Sequence, residues 1–526
     1  MKNISVADSI GTSSPSRREG SLAERIASWV RTPAGGLALL ILGTFLARLI
    51  LASALGLGVD ESYMVAAGRK LQLSYFDHPP ISWWMAWAAA HLTGSEASLI
   101  VRLPFIALFA VTTWLMYWVT SAVFRPAAGL AAAVVLNLAP VFGVSDATWV
   151  LPDGPLLAAL LAATGCLISA LGLSGRAAWG WWLGTGVCGG LALCSKYSAA
   201  LSIVGVMAFF LTEPNSRRWL ARPHPYVAAL VALIIFLPIV FWNAEHGWVS
   251  FLFQGGRASG SFRPFGPFST LAGEAAFLLP WIWVPLLACG LIAVREGPRD
   301  GKRWLFVCLA APFIILFTIV SLWGNVRFHW AAPGYLMLLP LLGDAIARHW
   351  RDGRLVRVWL LGTAVFVVIG TTALASEVRF NWLPTFFGEY SSGKDPSLEM
   401  VDWDSLRQDL ARRGLLDEPG LVVAALRWSD AGKIDYALGG RTPVICLGPD
   451  SHQYGFITRH DDYLGSDVLI VARTSLERVT GQFWFLFDRI EPLAPITVFH
   501  AGRPALTLNL FLGHRLHNEG EECCSS

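Results

Sequence analysis

The chain has 526 residues, of which 54% are hydrophobic and 15% charged, and a net charge of +3. A soluble protein carries about a quarter charged residues, so this composition excludes an ordinary soluble enzyme, and the small net charge gives no sign of a nucleic-acid partner. A mean hydropathy of +0.52, with many charge-free runs of about 20 residues, enough to cross a hydrocarbon core of ~30 Å, indicates a polytopic protein surrounded by membrane lipids.

A polar stretch with Arg17, Arg18, Arg25 and Arg31 precedes the first apolar run. A cleaved signal peptide sets a short charged region directly before a short apolar one, so residues 1–33 read as a cytoplasmic tail leading into a retained helix. Apolar spans follow at 34–58, 99–124, 127–146, 153–173, 178–195, 197–212, 225–242, 271–294, 303–323, 330–347 and 355–376, about eleven in all. With the tail inside, alternation puts Arg125, Arg176, Arg217, Arg218, Arg222, Arg295, Arg299, Lys302, Arg303, Arg348, Arg351, Arg354 and Arg357 on the cytoplasmic side. The other side keeps only Arg69, Lys70, Lys196, Arg257, Arg263 and Arg327, the bias expected of a plasma-membrane (inner-membrane) protein. The 24 Trp and 30 Phe suit interfacial aromatic belts.

An odd number of spans places residues 377–526 outside the cytoplasm. That region is charged and predicts a helix at 403–413 and strands at 421–426, 442–447, 468–471, 496–499 and 506–512, a small α/β domain docked on the membrane part. No internal repeat is visible, which argues against a transporter built from repeated halves. Cys166, Cys188, Cys194, Cys289 and Cys308 sit in apolar runs and read as small hydrophobes. Neither Cys446 nor Cys523 and Cys524 has the spacing of a metal knuckle or a disulfide framework.

The outer loops (59–98, 146–153, 243–270 and 324–329) and the turn at Lys196 carry the chemistry. The first contains Asp60-Glu61-Ser62-Tyr63 and then Tyr75-Phe76-Asp77-His78-Pro79-Pro80. Adjacent carboxylates just past a helix end, where the dipole does not favour them, are either two solvated acids or a site for a proton or divalent cation. The prolines restrict the residue before them and fix a carboxylate beside a proton carrier. Asp153 opens a membrane helix, as an N-cap or as a second acid. Lys196 interrupts two apolar spans, as a snorkelling side chain or as a cation for phosphate. The fourth loop offers Trp242, Asn243, His246 and Trp248 to line a sugar site or anchor the interface. The fifth offers Arg327, whose planar fork suits phosphate, beside His329. Acids, bases and cations in every outer turn, against almost only Arg inside, favour function.

These runs resemble the bacterial family 39 glycosyltransferases, relatives of protein O-mannosyltransferases and of the lipid A aminoarabinose transferase. The resemblance rests on Asp60-Glu61-Ser62-Tyr63, the 75–80 run, Leu151-Pro152-Asp153-Gly154-Pro155, Ser195-Lys196-Tyr197, Trp242-Asn243 with His246-Gly247-Trp248, and Arg327-Phe328-His329-Trp330. It covers about residues 1–350 in order, and implies an all-α polytopic GT-C fold, here with the small C-terminal α/β domain outside the membrane. It also implies inverting transfer of a sugar from a polyprenyl monophosphate donor to an envelope lipid, polysaccharide or protein. Asp60 matches the family's catalytic acid, Asp153 a second acidic position and Lys196 a basic position near the donor phosphate. Tyr63 stands where the aminoarabinose transferases have Arg, and His78 where they have Lys, which weighs against lipid A and aminoarabinose as substrates. The expected roles are Asp60 as base, Lys196 and Arg327 at the phosphate, and Glu61, Tyr63, Asp77, His78, Trp242, Asn243, His246, Trp248 and His329 around sugar, acceptor or a divalent ion, which the spacing leaves open. A transporter or flippase is the rival reading. It would need mid-span charges, for which Arg48 and Glu274 are the candidates.

Overall fold

The computed structural model describes residues 28–351, 353–383 and 396–518. Most of the predicted cytoplasmic tail, and Cys523 and Cys524, lie outside these residues.

The helices in chain order are α1 (Pro33–Ala54), α2 (Val59–Ala67), α3 (Ile81–Thr93), α4 (Ser98–Val123), α5 (Pro126–Leu138), α6 (Asp153–Leu171), α7 (Gly175–Leu193), α8 (Ala200–Thr212), α9 (Pro223–Glu245), α10 (Val249–Gly256), α11 (Gly266–Leu278), α12 (Pro280–Glu296), α13 (Gly301–Val320), α14 (Ala332–His349) and α15 (Arg354–Phe380). Among the described residues α1, α4, α6, α9, α13 and α15 are long and apolar enough to cross a membrane. The other apolar runs are shorter, interrupted or less apolar. The run at 271–294 is not one straight helix: α11 and α12 meet at a bend of 110°, where Leu279 has φ +71° before Pro280. The run at 127–146 ends α5 at Leu138 and continues as a π-turn, Val141–Asp146.

The break is bridged by buried Arg48, which donates from Nε (3.0 Å) and Nη2 (2.9 Å) to Gly143 O and from Nη2 to Asn137 Oδ1 (2.8 Å). An arginine here replaces backbone hydrogen bonds that lipid cannot supply. Glu274 accepts from Tyr335 Oη at 2.6 Å. Both mid-span charges therefore have partners in the helix packing.

The last region holds α16 (Asp404–Arg412), β1 (Val422–Ala425), α17 (Trp428–Leu438), β2 (Val444–Cys446), α18 (Tyr454–Ile457), β3 (Val468–Ala472), α19 (Leu476–Phe483), β4 (Phe487–His500) and β5 (Arg503–Leu516). The sheet order is β2-β1-β3-β5-β4, parallel through β2, β1 and β3 and antiparallel through β5 and β4. The predicted helix and five strands are all present, the last two longer than expected. β1 and β3 are buried on both faces: Val423, Leu469 and Val471 enter one apolar cluster and Val422, Val468 and Ile470 the other. This is why they read as unbroken apolar runs.

The first of those clusters also contains Leu57, Tyr63, Met64 and Val65, so the outer loop and the C-terminal domain share a core. α17 packs on α2 so closely that a Cβ on Gly432 would lie 2.7 Å from Tyr63 Cα. Buried Lys433 crosses the same seam and donates to Leu57 O (2.5 Å) and Val401 O (3.2 Å). Arg69 reaches from the outer loop to Asp435 (2.6 Å) and Glu96 (2.7 Å). A cavity of about 240 Å³ lies beside this network, between Arg69, Trp87, His91 and Glu96, and one of about 380 Å³ lies at the other end of the bundle, between Arg125, Lys302, Arg303, Asp344 and Arg348. Neither is lined by Asp60, Asp153 or Lys196.

Candidate functional site

The sequence reading set Asp60 and Glu61 beyond a helix C-terminus. In the structure they instead open α2, in its first turn, where the partial positive charge of the N-terminus favours them. The two neighbours then separate. Glu61 is buried and its oxygens are taken: Arg102 donates to Oε1 (2.8 Å) and Oε2 (2.5 Å), Gly58 N to Oε2 (2.9 Å) and Val150 N to Oε1 (3.0 Å). Arg102 also donates to the carbonyls of Ala52, Leu55 and Gly56 at the end of α1. Burial alone would raise the Glu61 carboxyl, but the Arg102 guanidinium overrides it and holds the group below its ordinary value. Glu61 thus joins α1, α2, α4 and the second outer turn, rather than standing open to a metal or an acceptor. Tyr63 is buried, and its Oη accepts from Gln453 N at 3.0 Å.

Asp60 is exposed along one edge but otherwise ringed by protein. Burial, then the nearby Asp77 and Glu399 charges, raise it to about 6, with Arg327 opposing. Such a carboxylate is poised to take a proton near neutral pH.

The 75–80 turn is tied down on three sides. Tyr75 N donates to His78 O (3.3 Å), Gln254 Nε2 to Asp77 O (2.6 Å) and Gln453 Oε1 accepts from Phe76 N (2.8 Å). The Asp77 carboxylate is buried, which would raise it, yet His452 and His78 beside it hold it below its usual range. Burial lowers His78 to about 4, so it is neutral at pH 7. Burial does the same to His329, also to about 4, among Asp153, Lys196, His78 and Arg327.

Asp153 makes no capping hydrogen bond at the start of α6. Its Oδ1 accepts from Lys196 Nζ at 2.7 Å, with both side chains largely buried. Lys196 therefore turns inward to an acid and does not snorkel outward. Arg327 is exposed and makes no salt bridge among the described residues. Arg257, just past α10, lies over the Phe253 (4.4 Å) and Trp330 (5.1 Å) rings and is an electrostatic neighbour of Asp77, Arg327 and Asp60. The sequence marked it only as one of the few basic residues of the outer side.

Asp60, Asp77, His78, Asp153, Lys196, Arg257, Arg327 and His329 are thus linked through neighbouring charges into one cluster. The fourth-loop residues are held by contacts of their own. Trp242 donates to Gln72 Oε1 (2.9 Å) and stacks on His246 (4.0 Å). Buried Asn243 accepts from Ser250 N (3.1 Å) and, through its carbonyl, from Trp248 N (2.7 Å), turning the chain into α10. Trp248 is exposed, in a left-handed conformation with φ 60°. No group of three or more His, Cys, Asp or Glu among the described residues is arranged to hold a metal ion.

The C-terminal domain adds groups that the sequence did not single out. His452 stacks on Trp428 (4.6 Å, 14°) and sets Nδ1 3.6 Å from Asp77 Oδ2. Gln453 and Glu399 complete that side. The contact between Phe76 and Gln453 spans 377 residues, and no local pattern reports such domain-to-loop contacts.

Comparison with known proteins agrees with the resemblance read from the motifs. Residues 77–242 match the sequence model of the family described as dolichyl-phosphate-mannose-protein mannosyltransferase. The chain is 24% identical over 351 residues to the lipid A galacturonosyltransferase RgtD of Rhizobium johnstonii, covering 63% of this chain and 66% of that protein. Its fold is similar to that of ArnT from Cupriavidus metallidurans, with a TM-score of 0.64 both for the apo structure (14% identity) and for the one bound to undecaprenyl phosphate (15% identity), covering 91% of this chain and 98% of each. At that identity the likeness is one of fold: a GT-C helical module with a small C-terminal sheet domain.

Proposed function

We propose that this chain is an integral membrane glycosyltransferase that moves a sugar from a polyprenyl-phosphate carrier to an acceptor on the non-cytoplasmic face of the inner membrane, with inversion. The observation that carries this reading is the gathering of charged groups from five outer turns into one cluster, on a scaffold shared with a protein that binds undecaprenyl phosphate.

In the proposed reaction the acceptor hydroxyl attacks the anomeric carbon and the bond from that carbon to the phosphate oxygen breaks. The electron pair leaves with the polyprenyl phosphate, and Asp60 takes the acceptor's proton. Lys196 uses one of its three donors on Asp153, which leaves two for the phosphate. Arg327 and Arg257 supply further positive charge where negative charge builds. Neutral His78 and His329 serve as hydrogen-bond partners. The sequence similarity to a lipid A galacturonosyltransferase makes lipid A the first acceptor to test, within the wider class of envelope lipid, polysaccharide or protein. A transporter is less well supported, because Arg48 and Glu274 are engaged in helix packing.

The test compares envelope lipids and glycans by mass spectrometry in a deletion strain complemented with wild type or with Asp60→Asn. Loss of one modification in the deletion, restored by wild type but not by the variant at equal membrane abundance, is the expected result. Restoration by Asp60→Asn would overturn the assignment.

A further inference from the structure

Three buried side-chain atoms at the seam between the first outer loop and the C-terminal domain have no hydrogen-bond partner: Asp77 Oδ1, His452 Nδ1 and Gln453 Nε2. Their residues are 7%, 8% and 0% exposed. Leaving a buried polar group unmatched costs its full desolvation, so each such group calls for an explanation.

His452 sits between two carboxylates, with Nε2 3.1 Å from Asp450 Oδ1 and Nδ1 3.6 Å from Asp77 Oδ2. Beside it Asp77 Oδ1 is left as an acceptor and Gln453 Nε2 as a donor. A hydroxyl group, which both donates and accepts, matches the two. Phe76 and Phe253 pack around the imidazole at 4.9 Å and 5.2 Å, so the surroundings of these unmatched atoms are apolar. His452 itself is held in the left-handed region, φ 47°, a conformation that persists in non-glycine residues only where the surroundings enforce it.

We propose that Asp77, His452 and Gln453 form a subsite for the hydroxyl groups of a sugar ring, so that the C-terminal domain binds carbohydrate directly. The proposal rests on the glycosyltransferase reading and adds which residues meet the sugar.

The experiment uses the full chain in nanodiscs and measures affinity for undecaprenyl phosphate and for undecaprenyl phosphate bearing galacturonic acid, glucose or mannose. A second arm measures KM for lipid A as acceptor. His452→Phe keeps the stack on Trp428 and removes the ring nitrogens. Gln453→Glu keeps the oxygen that Phe76 N donates to and removes the Nε2 donor. Each variant is expected to cut the margin of the best sugar-bearing carrier over the bare one by about tenfold, the size of one buried hydrogen bond, with bare-carrier affinity unchanged. A rise of about tenfold in KM for lipid A, with that margin kept, also supports the subsite and assigns the ring to the acceptor. The subsite is overturned if neither quantity moves, or if the variants lose affinity for bare and sugar-bearing carriers alike. If wild type fails to bind undecaprenyl phosphate at all, the glycosyltransferase reading falls and the subsite with it.

Discussion

The two ends of the helix bundle both carry clustered charge, and they use it differently. At the end with the larger cavity, Asp344 pairs with Arg348 and with Arg303 (3.1 Å), and Arg303 also meets Glu296 (2.9 Å) and Asp300 (3.5 Å). Asp300 further caps α13 by accepting from Arg303 N (3.3 Å). The acids there, Glu296, Asp300 and Asp344, each have a basic partner, and the pairs hold helices together. At the opposite end the pairing is incomplete. Asp153 and Lys196 form one bridge, Asp60 and Arg327 form none among the described residues, and Asp77, His452 and Gln453 keep unmatched atoms. Unmatched charge and buried polar atoms are costly, and folding gains nothing from them. The contrast separates charge that supports a structure from charge that waits for a ligand.

The largest way to break this comparison is Asp60→Asn, expected to lower transfer by about 10³-fold in a radiolabelled-sugar assay while membrane abundance stays at the wild-type level. Glu61→Ala, one residue on, tests the opposite assignment. Removing one partner of a buried pair costs about 3–5 kcal/mol, so a thermal melt in detergent should fall well below wild type, and an unchanged melt would undo the structural role given to Glu61. Lys196→Ala should lower kcat/KM by about 10²; a loss confined to KM for the acceptor would move Lys196 away from the phosphate. A pH profile sharpens the role of Asp60. Its raised value of about 6 means that the carboxyl is protonated, and useless as a base, below that pH. Log kcat/KM should therefore rise with a slope of about one up to pH 6 and level off above, whereas a flat profile from pH 5 to 7 would remove Asp60 as the base. The smallest effect is expected at the other end: Asp344→Asn should leave the transfer rate at the wild-type level, since that cluster touches none of the reacting groups.

Much of this was legible in the sequence because it is local. The first helix begins where Thr32 accepts from Gly35 N at 3.1 Å and Pro33 occupies the first turn, both visible as residue types. The strands at 422–425 and 468–472 read as apolar runs because both their faces are buried. The double proline correctly marked Asp77 and His78 as held in place. Other features depended on distant partners. The bend at Leu279 and the π-turn at Val141–Asp146 lie inside uniformly apolar runs, where hydropathy does not report direction.

The sequence by itself determined the apolar runs, the order of the outer motifs and the presence of a second, sheet-containing region, since each follows from composition and short-range spacing. Only the tertiary structure decided which of two adjacent acids is free. Glu61 is claimed by Arg102, 41 residues away, while Asp60 faces the charged cluster. It also decided that His452 and Gln453 pack against the 75–80 turn, Gln453 lying 377 residues beyond Phe76. A side chain's role there is set by what packs against it, and those partners come together only when the C-terminal domain docks on the first outer loop.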